Sequence, residues 1–187
     1  MKRKKRIKRI KRIIYLAILC CIVVIIVSWA VKINRSVLAF KDKTDWPVGC
    51  WYKWHISWCF QNYGQRNNRF HYGIDINFGR GNADLEAPVF ATHDGVVDWV
   101  RTINDDKNGG GNRVRITSEN GKVSTFYMHL DSIFVRRGDK ITKGTQLGTL
   151  GGSGFGKRRH YVPHLHYEVF IDGKHINPIQ NGNLVSL

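Results

Sequence analysis

Acidic side chains are scarce in this 187-residue chain: 14 Asp and Glu stand against 30 Lys and Arg, a formal net charge of +16. The shortage is local. Residues 1–12, MKRKKRIKRIKR, carry nine basic side chains and no acid, and residues 32–45 carry four basic and two acidic. Residues 46–187 then hold 17 basic and 12 acidic groups, a net of only +5. The basicity belongs mainly to a tail, so nucleic acid is not an expected partner. Cysteine is sparse too, with four in the chain. Cys20 and Cys21 fall in an apolar run, where they act as small hydrophobes. A cysteine-based zinc site would have only Cys50, Cys59 and the intervening His55 to draw on, which is too few partners. Beyond residue 45 no convincing stretch has helical periodicity, and outside the tail there is no repeat or low-complexity tract. A wholly disordered chain is excluded by 42% hydrophobic and 12% aromatic residues.

The segment after the tail accounts for the tail's charge. Residues 13–31, IIYLAILCCIVVIIVSWAV, carry no charge. As a helix they would span roughly 28 Å, close to the hydrocarbon thickness of a bilayer. The basic residues 1–12 hold that end in the cytoplasm, with anionic lipid heads as their nearest partner. The expectation is a single-pass signal anchor in a bacterial cytoplasmic (inner) membrane, with the remainder extracytoplasmic or periplasmic. The alternative is a signal peptide cut after Ala30, with Ser28 and Ala30 as the small residues of the cleavage site, and a secreted product. In either compartment a disulfide is permitted, and Cys50–Cys59 would close the short Trp-rich loop CWYKWHISWC. Residues 32–45 read as a linker, and the exported domain runs over 46–187.

That domain shows short alternating runs punctuated by Gly, Asn and Asp, a strand signal. PVFATHDGVVDWV (88–100) reads as two strands about Asp94–Gly95. Arg113 to Thr117 and Lys122 to Met128 flank Asn120-Gly121, a strong hairpin signal. Asp139 to Thr149 alternates around Gly144, and Leu165 to Ile171 alternates before a turn at Asp172–Gly173. About 140 residues suffice for one sound core.

Histidines and one carboxylate carry the chemistry. His71 and Asp75 are four apart, roughly 13 Å in a straight strand, so they share an ion only if Gly73 bends the chain. His164 and His166 begin a strand, where alternate residues share a face; Glu168 would join them while Leu165, Tyr167 and Val169 face away. Two His from one strand with a His and an Asp from another segment make a metal site with an open position, the pattern of catalytic zinc. His129 ends a hairpin strand. Glu168 is expected to orient a ligand or form an ion pair rather than bind metal. His55, His93 and His175 have nothing around them that suggests a role.

FHYGIDIN (70–77), YMHL (127–130) and PHLHYE (163–168) together resemble the three motifs of the lysostaphin-type (LytM-domain) zinc endopeptidases, which cut peptidoglycan cross-bridges. The resemblance covers about residues 68–180, including EAPVFATHDGVV and VRRGDKITKGTQLGTLGGSG. It implies a mainly β fold, a compact domain of antiparallel β-sheets of the duplicated-hybrid-motif type, behind the one N-terminal transmembrane helix. It implies one Zn2+ per chain, held by His71, Asp75 and His166. His129 and His164 would be the catalytic pair, one a general base and the other a helper of the oxyanion or leaving amine. The substrate implied is the peptide cross-link of peptidoglycan. Which bond is cut, the oligomeric state and the division of labour between the two histidines stay open.

One stretch departs from the family pattern. Between the Gly-rich GGSG (151–154) and PHLH, residues 155–162 read FGKRRHYV, longer, bulkier and more basic. Lys157, Arg158, Arg159 and His160 are expected to border the substrate groove and meet acidic groups. The main alternative function is a non-catalytic relative that binds other wall hydrolases, which ligand loss would betray; here all five residues are present. RRGDKITKGTQLG also looks like part of a biotinyl or lipoyl carrier domain, which fits an exported metal-binding chain badly.

Overall fold

Alternating burial builds the sheets. The computed structural model describes residues 15, 18–27, 46–48, 58–77, 80–180, 183–185 and 187. The chain divides into two compact units, Met1–Phe40 and Lys41–Leu187. In the first, residues 18–27 are helical and exposed, and Cys20 and Cys21 are free thiols. Among the described residues no helix is long and apolar enough to cross a membrane. The ends of the expected 13–31 span, the basic tail, the 32–45 linker and Cys50 lie outside the described residues, as does the side chain of Cys59; the expected disulfide falls there too.

Among its described residues the second unit forms β-strands and one turn of 3₁₀-helix at Ile103–Asp105. Its strands are β1 (Trp58–Gln61), β2 (Gly64–Arg66), β3 (Arg69–His71), β4 (Ile74–Asn77), β5 (Pro88–Phe90), β6 (Gly95–Arg101), β7 (Asn112–Thr117), β8 (Val123–Leu130), β9 (Ser132–Ile133), β10 (Lys140–Ile141), β11 (Gln146–Thr149), β12 (Leu165–Ile171), β13 (Lys174–Ile176), β14 (Ile179–Gln180) and β15 (Asn183–Leu184). An eight-stranded sheet runs in the order β1-β4-β12-β8-β7-β6-β10, with β13 paired to β12. A second sheet has the order β5-β11-β9, and β2-β3 and β14-β15 are separate ribbons. All the named pairings are antiparallel.

The expected hairpins form where the turn chemistry placed them. Ser118 N–H donates to the Val123 carbonyl across Asn120-Gly121, where Gly121 has φ +70°. Asp172 and Gly173 both have positive φ, as a two-residue turn between right-twisted strands requires. The two strands read about Asp94–Gly95 are β5 and β6, which lie in different sheets rather than forming a hairpin.

The core fills one face of the large sheet. Ile74, Ile76, Val97, Val114, Ile116, Tyr127, Leu165, Tyr167 and Val169 cluster there with Val89 and Leu147 of the three-stranded sheet, all fully buried. Tyr127 and Tyr167 are acceptable in that core because both hydroxyls hydrogen-bond Thr92 Oγ1, at 2.9 and 2.8 Å. Alternation then forces Asp75, His166 and Glu168 onto the opposite face. The site is built there.

Candidate metal centre

Asp75 of β4 and His166 of β12 are direct cross-strand partners, so their side chains stand side by side on the open face. His71 arrives from the β2-β3 ribbon after the chain bends at Gly73. Gly73 does not have positive φ; its contribution is the missing side chain, not the conformational freedom expected of it. A Cβ there would stand 2.5 Å from the Tyr167 carbonyl and 2.8 Å from His166 Nε2.

The three donor atoms converge. His166 Nδ1 is 2.9 Å and His71 Nε2 is 3.3 Å from Asp75 Oδ1, and the two nitrogens are 3.0 Å apart. A tetrahedral zinc ion with bonds of about 2.0–2.1 Å sets its ligand atoms about 3.3 Å apart, so this triangle fits one face of such a site. The group satisfies the spacing required to hold a metal ion. The side chains are 12%, 8% and 12% exposed for His71, Asp75 and His166, so the cluster is sheltered yet reachable.

Each donor is oriented from behind. His71 Nδ1–H donates to the Asn62 carbonyl at 2.9 Å, which presents Nε2 to Asp75, and the Arg66 guanidinium packs against the same nitrogen. His166 lies 3.0 Å from Glu168 through Nε2, and the other oxygen of Glu168 is 3.1 Å from His175 Nε2. Glu168 therefore holds the His166 ring from behind through a close carboxylate–imidazole contact. Such carboxylate–imidazole contacts fix the ring and raise its basicity.

The electrostatics describe a cluster that holds positive charge. Burial pushes the His166 pKa down, but hydrogen bonds and charge from Asp75 and Glu168 prevail and raise it to about 9. Burial works against the Asp75 carboxylate, yet its bonds to His166 and His71 keep it far below the usual carboxylate range. Glu168 is likewise lowered, burial being outweighed by His166 and His175. A carboxylate on either side of one imidazole favours a cation between them, a proton or a metal.

His129 and His164 flank this cluster, their ring centroids 4.7 Å apart, and His129 is 6.0 Å from His166. Both rings donate Nδ1–H to a backbone carbonyl: His129 to Ser153 at 2.9 Å, His164 to Val162 at 2.8 Å. The Nε2 of His164 faces Asp75 Oδ1 at 3.8 Å. Burial is the main reason both pKa values fall, that of His129 to about 3 with help from the charges of His164 and His166. Both rings are neutral near pH 7, with Nε2 as the accepting nitrogen. His129 reaches the site through a local distortion. Its φ is +63°, and the register against β7 shifts between Asn112 and Val114, so two residues of β8 oppose one of β7. A bulge of this kind re-aims a side chain.

The basic stretch divides. Lys157, Arg159 and His160 are exposed. Arg158 instead donates to both oxygens of Asp131, at 2.8 and 2.6 Å, and reaches Glu86 at 3.6 Å. It fastens the loop to Asp131 while its side chain stays 58% exposed beside its neighbours. His93 is a buried residue bonded to Thr125, as an ordinary histidine would be, and His55 lies outside the described residues.

Sequence reading missed four contributors: His175, Arg66, Asn62 and Asp106. A signal for His175 existed. The two-residue turn at Asp172–Gly173 sets it opposite Phe170, on the face of His166 and Glu168. Nothing local marks Asp106, whose carboxylate accepts from the backbone N–H groups of Gly111 and Phe155 and from Arg113.

Known proteins resemble the chain in sequence and in fold. The model of peptidase family M23 matches residues 69–178. A peptidoglycan DD-endopeptidase of Vibrio cholerae, ShyC, is 38% identical over 96 residues, covering 51% of this chain and 20% of that protein. The chain spans about a fifth of the length of the first curated relatives it matches. Among solved structures, a mutant catalytic domain of the prophage-encoded M23 protein EnpA from Enterococcus faecalis is 28% identical, with a TM-score of 0.53 over 73% of this chain and 98% of that one. A zinc-containing peptidase from Vibrio cholerae gives the same identity and TM-score over 72% of this chain and 38% of its own. The family match takes in more than half of the 187 residues and every histidine and carboxylate of the cluster, and the chain belongs to peptidase family M23.

Proposed function

We propose that this chain is a zinc-dependent endopeptidase that hydrolyses peptide cross-links of peptidoglycan, anchored in the cytoplasmic membrane through residues 13–31 with the domain 46–187 on the outer side. The observation that carries the reading is one constellation. His71 Nε2, Asp75 Oδ1 and His166 Nδ1 converge within hydrogen-bonding distance beside two further histidines whose Nδ1 atoms are tied to carbonyls. DD-endopeptidases of peptidoglycan stand among the relatives.

In this reading His71, Asp75 and His166 hold one zinc ion, and Glu168 keeps His166 in the correct orientation and tautomer. A bound zinc ion polarises the scissile carbonyl and makes a nucleophile of water at neutral pH. His129 and His164 are neutral, and each offers Nε2. One would take the proton of the attacking water, and the imidazolium so formed would return that same proton to the leaving amine, directly or by way of the other ring. Their backbone anchors fix which nitrogen does this. The open sheet face admits an extended peptide, and β12 supplies its floor.

The test uses the full chain, wild type and His166→Ala, with metal content measured and intact sacculi digested. Wild type is expected to hold one equivalent of zinc and to release fragments cut in the cross-bridge, with neither found for the variant or after chelation. Fragment masses then identify the bond. A wild-type chain that holds no zinc and releases no fragments would overturn the peptidase reading in favour of a non-catalytic relative that binds other wall hydrolases.

A further inference from the structure

The basic loop is a rigid device, not a slack insertion. Gly154 and Lys157 exchange two backbone hydrogen bonds of 2.9 Å, closing a turn whose central residues, Phe155 and Gly156, have φ +48° and +74°. Phe155 N–H is held by Asp106 Oδ2 at 2.7 Å, and the N–H groups of His160 and Tyr161 both donate to the Gly152 carbonyl. Arg158 ties the middle of the loop to the buried Asp131. A charged group displayed on such a pinned tip loses little freedom when it meets a ligand.

The tip stands beside the candidate catalytic pair. Ring contacts run from Phe155 to His160 (5.0 Å), to Tyr161 (4.5 Å) and to His129 (4.7 Å), with Tyr161 also 6.0 Å from His164. The charge of the tip is uncompensated. Residues 151–163 contain no Asp or Glu. The neighbouring carboxylates are already engaged: Asp131 and Glu86 by Arg158, Asp106 by backbone N–H groups and Arg113. Among the described residues no acid pairs with Lys157 or Arg159.

We propose that Lys157 and Arg159 form a carboxylate-recognition subsite that selects cross-linked peptides bearing free carboxylates over those whose carboxyl groups are amidated. The inference rests on the peptidase reading for its substrate. Arg159 supplies the planar fork that matches a carboxylate, and Lys157 supplies a point charge. Phe155 stands three ring spacings from His129 in the same loop, so in this reading the pair meets groups a short way along the peptide from the scissile bond rather than the bond itself.

The test compares two synthetic cross-linked peptide dimers that differ only in carboxylate against carboxamide. Zinc-loaded full chain is titrated by calorimetry and assayed for cleavage, as wild type and as Lys157→Gln/Arg159→Gln. Both positions are exposed, so the variant should fold normally. Wild type is expected to bind the acidic dimer about tenfold more tightly, as two charge-assisted contacts would provide. The preference should shrink in high salt and disappear in the double variant. Equal binding of the two dimers by wild type, or a preference that survives the double substitution, overturns the subsite. A double variant that loses both dimers equally also overturns it, pointing to general attraction for the anionic wall. Preferential binding without cleavage sustains the subsite and overturns the peptidase reading; cleavage without preference does the reverse.

Discussion

Substituting Glu168 by Gln tests the link between proton and metal at the cluster most directly. Glu168 lies 3.0 Å from His166 Nε2, and with Asp75 it raises the His166 pKa to about 9. A raised histidine pKa means that the metal-free protein carries the imidazolium below that pH. Zinc needs the neutral ring, so below pH 9 binding must displace a proton. At pH 7, about two units below that pKa, the competition weakens apparent affinity about 100-fold, or about 2.7 kcal/mol. Apparent zinc affinity should therefore rise about tenfold per pH unit from 6 to 8 and level off above 9. In Glu168→Gln the imidazolium loses a carboxylate, its pKa falls, and the slope should flatten within that range. The same substitution removes the group that orients the ring, which typically weakens metal binding by about 10–100-fold. The deficit should be largest near pH 9.5 and smaller at pH 6, where weaker proton competition offsets it. Competition with a chromogenic chelator across pH 6–10 reads both curves. A wild-type affinity independent of pH, or an unchanged affinity in the variant at pH 9.5, refutes the reasoning.

Other substitutions separate metal holding from proton transfer. His129→Ala and His164→Ala should each retain one zinc per chain by elemental analysis while turnover falls about 100-fold or more. Loss of zinc from either would place that residue among the ligands instead. Both histidines have lowered pKa values, so with zinc saturating, the acid limb of kcat should lie below pH 6.5; a limb at or above 6.5 would contradict their neutrality. Gly73→Ala forces a Cβ against the Tyr167 carbonyl and His166 Nε2, and about 1–3 kcal/mol of lost stability with weakened zinc binding is expected from denaturation and metal titration. Asp106→Ala leaves the buried N–H of Gly111 and that of Phe155 without their acceptor. Thermal unfolding should show a loss of about 3 kcal/mol, and an unchanged midpoint would refute the hub.

The strands at β7, β8 and β12 were legible because side-chain alternation and Asn-Gly or Asp-Gly turns are local properties, written within a few residues. The faces were legible as well: once Leu165, Tyr167 and Val169 were assigned inward, His166 and Glu168 had to face outward. The partition of strands between two sheets was not legible, because β5 and β6 are adjacent in the chain yet pair with β11 and with β7 and β10. Nor was the partner of Arg158, because nothing in RRH identifies Asp131, 27 residues earlier in the chain.

By itself the sequence determined the set of chemical groups: an imidazole and a carboxylate four residues apart, a pair of histidines on one strand face, and one more at a strand end. Residue type and the two-residue period of a strand suffice for that. Tertiary structure decided how they meet. The pairing of β4 with β12 sets Asp75 opposite His166, and the absence of a side chain at Gly73 lets His71 close the triangle. His129 shows the difference most clearly. Strict alternation from Thr125 and Tyr127 would bury it in the core. The extra residue of β8 and the positive φ turn it onto the open face, where the Ser153 carbonyl holds its Nδ1–H. Such a bulge depends on which strand lies alongside and where the loops pack, and those contacts exist only once the chain has folded.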